Sequence, residues 1–257
     1  MSDELFPKGA TLIFGATGGI GQFVAKEFAK AGSDVAIMWR SKEDAAQNLA
    51  KEIEALGQKA SIHQCDVTDL DALEKVFQDA IETHGRIHTL VWGAGPLVEQ
   101  VLISESTREQ WHNAINIEVH GFFDACKTIL PHLKQQGGGS IVHLGSAGEN
   151  SFPERDYLSV SPKAANESLI KGIAREEGRF NIRANSVLVG VIEAGMFLEL
   201  TKQGVFDDVW VEEVQKGLSL KRWGQPEEIG HAAVFLASNK ASYITGQQIS
   251  VAGGYGL

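Results

Sequence analysis

Tyr157, Ser159, Ser161 and Lys163 fall within seven residues of one another in the stretch RDYLSVSPKAANESLIKGIA, residues 155–174, with Ser168 close behind. Phenol, hydroxyl and ammonium groups this close together can hold or move a proton, provided they share a face. On a helix, partners four or seven residues apart share one. Tyr157 stands six before Lys163, about 600° around and so about 120° out of phase. Pro162 is tolerated in a first helical turn and costly further in. It therefore points to a helix that begins late, with Ser159 or Ser161 as N-cap and Tyr157 ahead of it. There the phase rule lapses and the ring can swing toward a cleft. Two readings of Tyr157 stand side by side: a displaced proton donor, or a ring packed at a helix entrance.

The elements that must position these groups alternate along the chain. Short apolar runs at 11–14 (TLIF), 34–39 (DVAIMW), 59–65, 88–95 (HTLVWGAG), 139–146 (GSIVHLGS), 182–190 (IRANSVLVG) and 246–254 read as seven strands. Between them lie amphipathic stretches that end on glycine, such as 42–57, and one beginning near Asp69 as a candidate cap. A long helical stretch covers about 108–136, and 226–238 is a late helix. Buried strands alternating with helices predict one doubly wound α/β domain of the Rossmann type, with a seven-stranded parallel sheet flanked by helices, over residues 1–257. Ligands of such sheets bind beyond the carboxyl ends of the strands.

The strand ends carry the signals of a dinucleotide site. GATGGIG follows the first strand, with Gly15, Gly19 and Gly21 in a turn that also holds Thr17 and Ile20. Glycine there lets backbone approach a phosphate at a helix N-terminus. The second strand ends in MWRSK, with Arg40 and Lys42 and no acid to accept from a ribose 2′-hydroxyl. A guanidinium suits a 2′-phosphate, which favours NADP(H) over NAD(H). Asp66 and Val67 end the third strand and are placed to meet adenine. Gly93, Ala94 and Gly95 end the fourth and leave room for a cofactor.

The totals exclude some classes. The chain has 257 residues, 43% of them hydrophobic, and a net charge of −10. An acidic chain without a basic run is poorly suited to nucleic acid or an anionic membrane. No apolar run approaches the length of a membrane span, and MSDELFPKG lacks the apolar core of a signal peptide. Cys65 and Cys126 have no CxxC partner and are expected to be reduced and buried. His63, His120 and His143 have no metal-ligand spacing, so no metal site is expected. A cytoplasmic protein is the expectation.

Taken together, GATGGIG at 15–21, the Asp66–Val67 pair, GAG at 93–95, NIEVHGFF from Asn116, GSIVHLGS ending at Ser146, SPKAA around Lys163, RWGQPEEIG at 222–230 and YITGQQISVAGG at 243–254 resemble the short-chain dehydrogenase/reductase family over essentially the whole chain. The resemblance implies hydride transfer between a nicotinamide and a carbon, usually a carbonyl carbon. It implies a catalytic set of Asn, Ser, Tyr and Lys, in which a neighbouring ammonium lowers the phenol pKa from about 10. It also implies a homo-oligomer, dimer or tetramer, and a substrate lid over about 191–225, where Phe197, Phe206 and Trp210 suggest a small hydrophobic substrate.

Carried over by position, the resemblance assigns Asn116, Ser146 and Lys163, with Lys163 also on the nicotinamide ribose and Gly190 and Ile192 beside the cofactor. The tyrosine position, four before the lysine and thirteen after the serine, is Ser159. Gly93 for the usual Asn, Val189 for the usual Pro, Ala194 for Thr and Ala252 for Asp are further departures. Some enoyl reductases of the superfamily carry their tyrosine seven residues before the lysine. The expectation is therefore an NADP(H)-dependent oxidoreductase with a non-standard site, with reduction of an enoyl thioester C=C bond as one candidate reaction. Tyr157 or Ser159 would take part in proton transfer. Carbonyl reduction, or a cofactor-binding partner without turnover, is the alternative.

Overall fold

The structure, a computed structural model, describes residues 4–257. Seven parallel strands form one sheet: β1 (Ala10–Phe14), β2 (Asp34–Trp39), β3 (Ala60–Gln64), β4 (Ile87–Trp92), β5 (Gly139–Ser146), β6 (Ile182–Val189) and β7 (Gln248–Val251). Their order, β3-β2-β1-β4-β5-β6-β7, reverses between β1 and β4. Leu12 of β1 lies between Ala36 and Leu90 of its neighbours. Every residue of β1 and β4 is buried, as strands covered on both faces require. Gly93, Ala94 and Gly95, read above as the end of a strand, lie beyond β4. They are the turn by which the chain leaves the sheet at its ligand-binding end.

The helices are α1 (Gly21–Lys30), α2 (Glu43–Ala55), α3 (Leu70–His84), α4 (Arg108–Ile115), α5 (Gly121–Gln135), α6 (Gly148–Ser151), α7 (Tyr157–Glu177), α8 (Met196–Lys202), α9 (Asp208–Gly217) and α10 (Pro226–Ala237). Asp69 caps α3, accepting from the Ala72 amide at 3.1 Å. Thr107 and Gln110 form a capping box on α4. One core packs Phe14, Trp92 and Phe122 beneath α3, α5 and α7; the other packs Val24, Phe28, Ile37 and Ile229 beneath α1, α2 and α10. Among the described residues, no helix is long and apolar enough to cross a membrane.

Two local features set the site. The long helix expected over 108–136 is interrupted by a π turn at Asn116–His120, which changes the face presented by the residues within it. The late helix start expected from Pro162 does not occur. Helix α7 begins at Tyr157 with Asp156 as N-cap, and Pro162 lies inside it. The amides of Ser159 and Val160 both donate to the Asp156 carbonyl at 3.0 Å. The first turn therefore closes before the proline is reached. The buried ring of Pro162 then removes a single donor from a helix of 21 residues.

Candidate functional site

Beyond β1 the chain turns at Gly15, whose φ of 77° suits glycine. The start of α1 has no side-chain cap; the Gln22 amide donates to the Gly18 carbonyl at 3.2 Å, and the positive end of the helix dipole lies at the glycine turn. A cleft of about 670 Å³ opens there, lined by Gly15, Thr17, Gly19, Ile20 and Gly21 with Lys42, Ala94, Gly95, Glu118 and Lys163. A Cβ on Gly19 would run into the backbone of Gly195, so glycine lets the loop after β6 close down on the turn. The bare backbone, the helix N-terminus and the lysine fit the phosphates of a dinucleotide.

Of the other predicted cofactor residues, Ala94 and Gly95 line this cleft, and Arg40, Asp66, Val67, Gly190 and Ile192 do not. Arg40 is exposed at the end of β2 and does not line it, whereas Lys42 does. The Asp66 carboxylate accepts from the Thr68 amide at 3.0 Å and the Thr68 hydroxyl at 2.7 Å. These bonds pull its pKa below the ordinary aspartate value. Val67 packs into the core beside Gly121. Gly190 and Ile192 line a second pocket rather than the cleft.

That second pocket, of about 260 Å³, holds Ser146, Ser159 and Lys163 together. Its apolar wall comes from the 191–225 segment: Ile192, Met196, Phe197, Phe206 and Trp210. The Phe206 and Trp210 rings stack at 3.9 Å, and Phe197 meets Trp223 at 5.1 Å. The two cavities meet along Ile20, Gly145, Lys163, Val189 and Met196. Ser146 accepts from the Gly148 amide at 3.1 Å, which aims its hydroxyl from the end of β5.

The structure does not bring Asn116 or Tyr157 to this pocket. Asn116 is exposed on the π turn. Two residues on, Glu118 is buried, lines the cleft and pairs with the Lys163 ammonium. A Cβ on Gly95 would strike that carboxylate, so a glycine stands where the acid needs space. The Glu118 carbonyl in turn accepts from Asn166 Nδ2 at 2.9 Å. Glu118 was legible as an acid in phase with the buried stripe Ala114, Gly121, Phe122 and Ala125, which is an unusual place for a charge without a partner.

Tyr157 is 6% exposed and packs with Val98, Ala114 and Leu158, its ring stacked on Trp111 at 6.1 Å. Its hydroxyl is buried without a hydrogen-bond partner, and it lines neither cavity. The reason is the helix start described above: once residue 157 is helical, six residues from Lys163 is the wrong phase. Of the two readings of this ring, the packed one describes the structure. Behind the pocket, buried His143 Nδ1 lies 2.8 Å from Glu167 Oε1, and Gln248 donates to the other oxygen at 3.0 Å. Burial pushes Glu167 up, but these hydrogen bonds outweigh it and hold its carboxyl below the ordinary value.

Residues 15–256 match a family described as "Enoyl-(Acyl carrier protein) reductase". The chain is 34% identical over 244 residues to a 3-oxoacyl-[acyl-carrier-protein] reductase FabG of Thermotoga maritima, covering 95% of this chain and 96% of that one. It is 32% identical over 254 residues to the protein of that name from Chlamydia muridarum, covering 98% and 99%. Among solved structures, a 7α-hydroxysteroid dehydrogenase complexed with NADH and 7-oxo glycochenodeoxycholic acid superposes with a TM-score of 0.89 at 30% identity, over 99% and 97% of the two chains. A gluconate 5-dehydrogenase from Burkholderia cenocepacia in complex with NADP and tartrate also gives 0.89, at 27% identity over 97% and 96%. With the sheet order, the glycine turn and these relatives in agreement, the chain belongs to the short-chain dehydrogenase/reductase family and is an oxidoreductase of that family.

Proposed function

We propose that the protein is an NADP(H)-dependent carbonyl reductase of hydrophobic ketones, with 3-oxoacyl thioesters as the substrate class. The observation that carries this reading is the junction of the two cavities. Two hydroxyls and an ammonium (Ser146, Ser159 and Lys163) line a pocket with an aromatic wall, and that pocket joins the glycine-turn cleft. NADP(H), when bound in the cleft, supplies the hydride. Ser146 and Ser159 would orient the substrate oxygen, and Lys163, held by Glu118 where the cleft and the pocket adjoin, would hold the cofactor ribose. Phe197, Phe206 and Trp210 exclude water from the acyl chain. Lys42 and Arg40, with no acid at the end of β2, favour NADP(H) over NAD(H).

Reduction of an enoyl thioester rested on a displaced phenol at 157. With that ring packed on Trp111, and with relatives named for 3-oxoacyl reduction, the carbonyl reaction is the better supported. Buried free thiols at Cys65 and Cys126 accord with a cytoplasmic setting. A homo-oligomer of two or four copies belongs to the same reading, with the α4–α5 face, where Phe123 is half exposed, as its contact surface.

The test is NADPH oxidation by purified protein with acetoacetyl-CoA, crotonyl-CoA and simple ketones. Acetoacetyl-CoA is expected to be reduced, and Lys163→Ala to lose at least about 100-fold in kcat/KM. Oxidation with crotonyl-CoA alone, or with no member of the panel, would overturn the reading.

A further inference from the structure

We propose that Asp156 is the proton donor of this site. The inference rests on the carbonyl-reductase reading and supplies the acid that the reading lacks. Lys163 and the two serines orient groups, Tyr157 faces away, and the one phenol lining the pocket, Tyr255, turns its hydroxyl to the Ser151 carbonyl at 3.5 Å. Asp156 lines the same pocket as Ser146, Ser159 and Lys163. It stands three residues before Ser159 and seven before Lys163. Asp156 is the N-cap of α7, and its carbonyl closes the turn that presents Ser159, whereas Tyr157, inside the helix, lies about 120° from the lysine.

The position is built rather than incidental. Arg155 adopts a left-handed φ of 68° and its carbonyl accepts from the Val101 amide at 3.2 Å. This fixes the chain as it enters α7. Gln100 Nε2, from the facing loop, donates to Asp156 Oδ1 at 3.0 Å. Among the described residues this is the one side-chain hydrogen bond to that carboxyl, which leaves Oδ2 to carry a proton.

The electrostatics run in the direction a carboxylic acid needs. A phenol must be made more acid to work near neutrality, and an adjacent ammonium does that. A carboxyl must be made less acid, by burial and by the absence of bare positive charge. Burial raises the pKa of Asp156, against smaller opposing effects from Gln100 and Lys163. The Lys163 charge is itself met by Glu118. The other titratable side chains lining the pocket are Glu154, which pairs with Arg155 at 3.7 Å, and Tyr255.

The step balances. The carbonyl carbon gains a hydride and the C=O π bond breaks onto oxygen. An O–H bond forms there as the Asp156 O–H breaks, either directly or across the Ser159 hydroxyl, which takes one proton as it gives one. Asp156 is left as carboxylate and regains its proton from solvent, and the oxidised cofactor is the other product.

Two measurements test this. The first is turnover of acetoacetyl-CoA by wild type, Asp156→Asn and Asp156→Ala, each checked for unchanged melting and NADPH affinity. Both variants are expected to lose about 10²- to 10⁴-fold in kcat, and formate or acetate to restore part of it to Asp156→Ala alone. Wild-type kcat should fall as pH rises through the Asp156 pKa, and that limb should vanish in Asp156→Asn. Variants that keep the wild-type rate and profile overturn the proposal while leaving the carbonyl-reductase reading intact. A wild type that binds NADPH and reduces no ketone overturns both. The second is a ¹³C NMR titration of the protein without cofactor, with the Asp156 resonance identified by its loss in Asp156→Asn. It is expected to titrate above the ordinary aspartate value of about 3.9; a value at or below that overturns the donor role.

Discussion

Replacing Tyr157 with phenylalanine separates the packed ring from the catalytic one. The Tyr157 side chain is nearly inaccessible, its hydroxyl has no partner, and its ring lies against Trp111. Burying a hydroxyl without a hydrogen bond costs about 1–3 kcal/mol in proteins. Tyr157→Phe removes that cost and keeps the ring contacts, so the variant should be about 1 kcal/mol more stable. For a domain of this size that is a rise in Tm of about 2–4 °C. Tyr157→Ala should instead lose about 3–5 kcal/mol, because it empties the cluster formed with Val98, Ala114 and Leu158. Thermal and urea melts measure both effects. NADPH oxidation with acetoacetyl-CoA should show Tyr157→Phe within about twofold of wild type, since a phenol acting as general acid would contribute at least about 100-fold. A Tyr157→Phe protein with wild-type stability and a kcat reduced tenfold or more would refute the placement of this ring and return the proton to residue 157.

Arg40→Ala and Lys42→Ala should each weaken NADPH binding by about tenfold and leave NADH within about twofold, as measured by fluorescence titration; equal losses for both cofactors would argue against a 2′-phosphate contact. Glu149 is pushed by burial from 4.5 to about 7. Its protonated form therefore favours the folded state, a contribution fully present below about pH 4.5 and lost as pH rises through 7. Discounted for partial solvent exposure, Glu149→Gln should be more stable than wild type by about 1–2 kcal/mol at pH 8 and equal to it near pH 4.5, measured by urea melts at both values.

The parts of the fold legible in the sequence were those governed by local pattern. Apolar runs marked β1, β2, β4, β5 and β6 because strands covered on both faces need continuous apolar residues, while the edge strands β3 and β7 are only partly buried; Asp69 was visible as a cap because its carboxylate serves a local amide. The glycine turn was legible because Gly15 requires a left-handed backbone and Gly19 a close approach. The errors came where a neighbouring turn changed the phase. Pro162 pointed to a late helix start, but the bonds to the Asp156 carbonyl close α7 five residues earlier than Ser161 would have done. Asn116, on the π turn, lies outside, while Glu118 two residues on follows the buried stripe of its helix and faces in. The π turn itself cannot be read from periodicity, because periodicity assumes its absence.

The two unexpected carboxylates make sense as a pair. A phenol donor depends on an uncompensated lysine, since its pKa must come down from about 10; Glu118 compensates Lys163 and so removes the condition under which a phenol at residue 159 would work. The same compensation favours an acid whose pKa must rise, and Asp156 is buried in the pocket those groups share. A serine at residue 159, Glu118 against Lys163 and the burial of Asp156 are then three parts of one electrostatic arrangement. The double variant Glu118→Gln/Ser159→Tyr, which bares the lysine and supplies a phenol four residues before it, should recover turnover in an Asp156→Asn background, whereas Ser159→Tyr alone should recover far less. Equal recovery with and without Glu118→Gln, read from kcat with acetoacetyl-CoA, would show that the charge on Lys163 does not decide which acid serves this site.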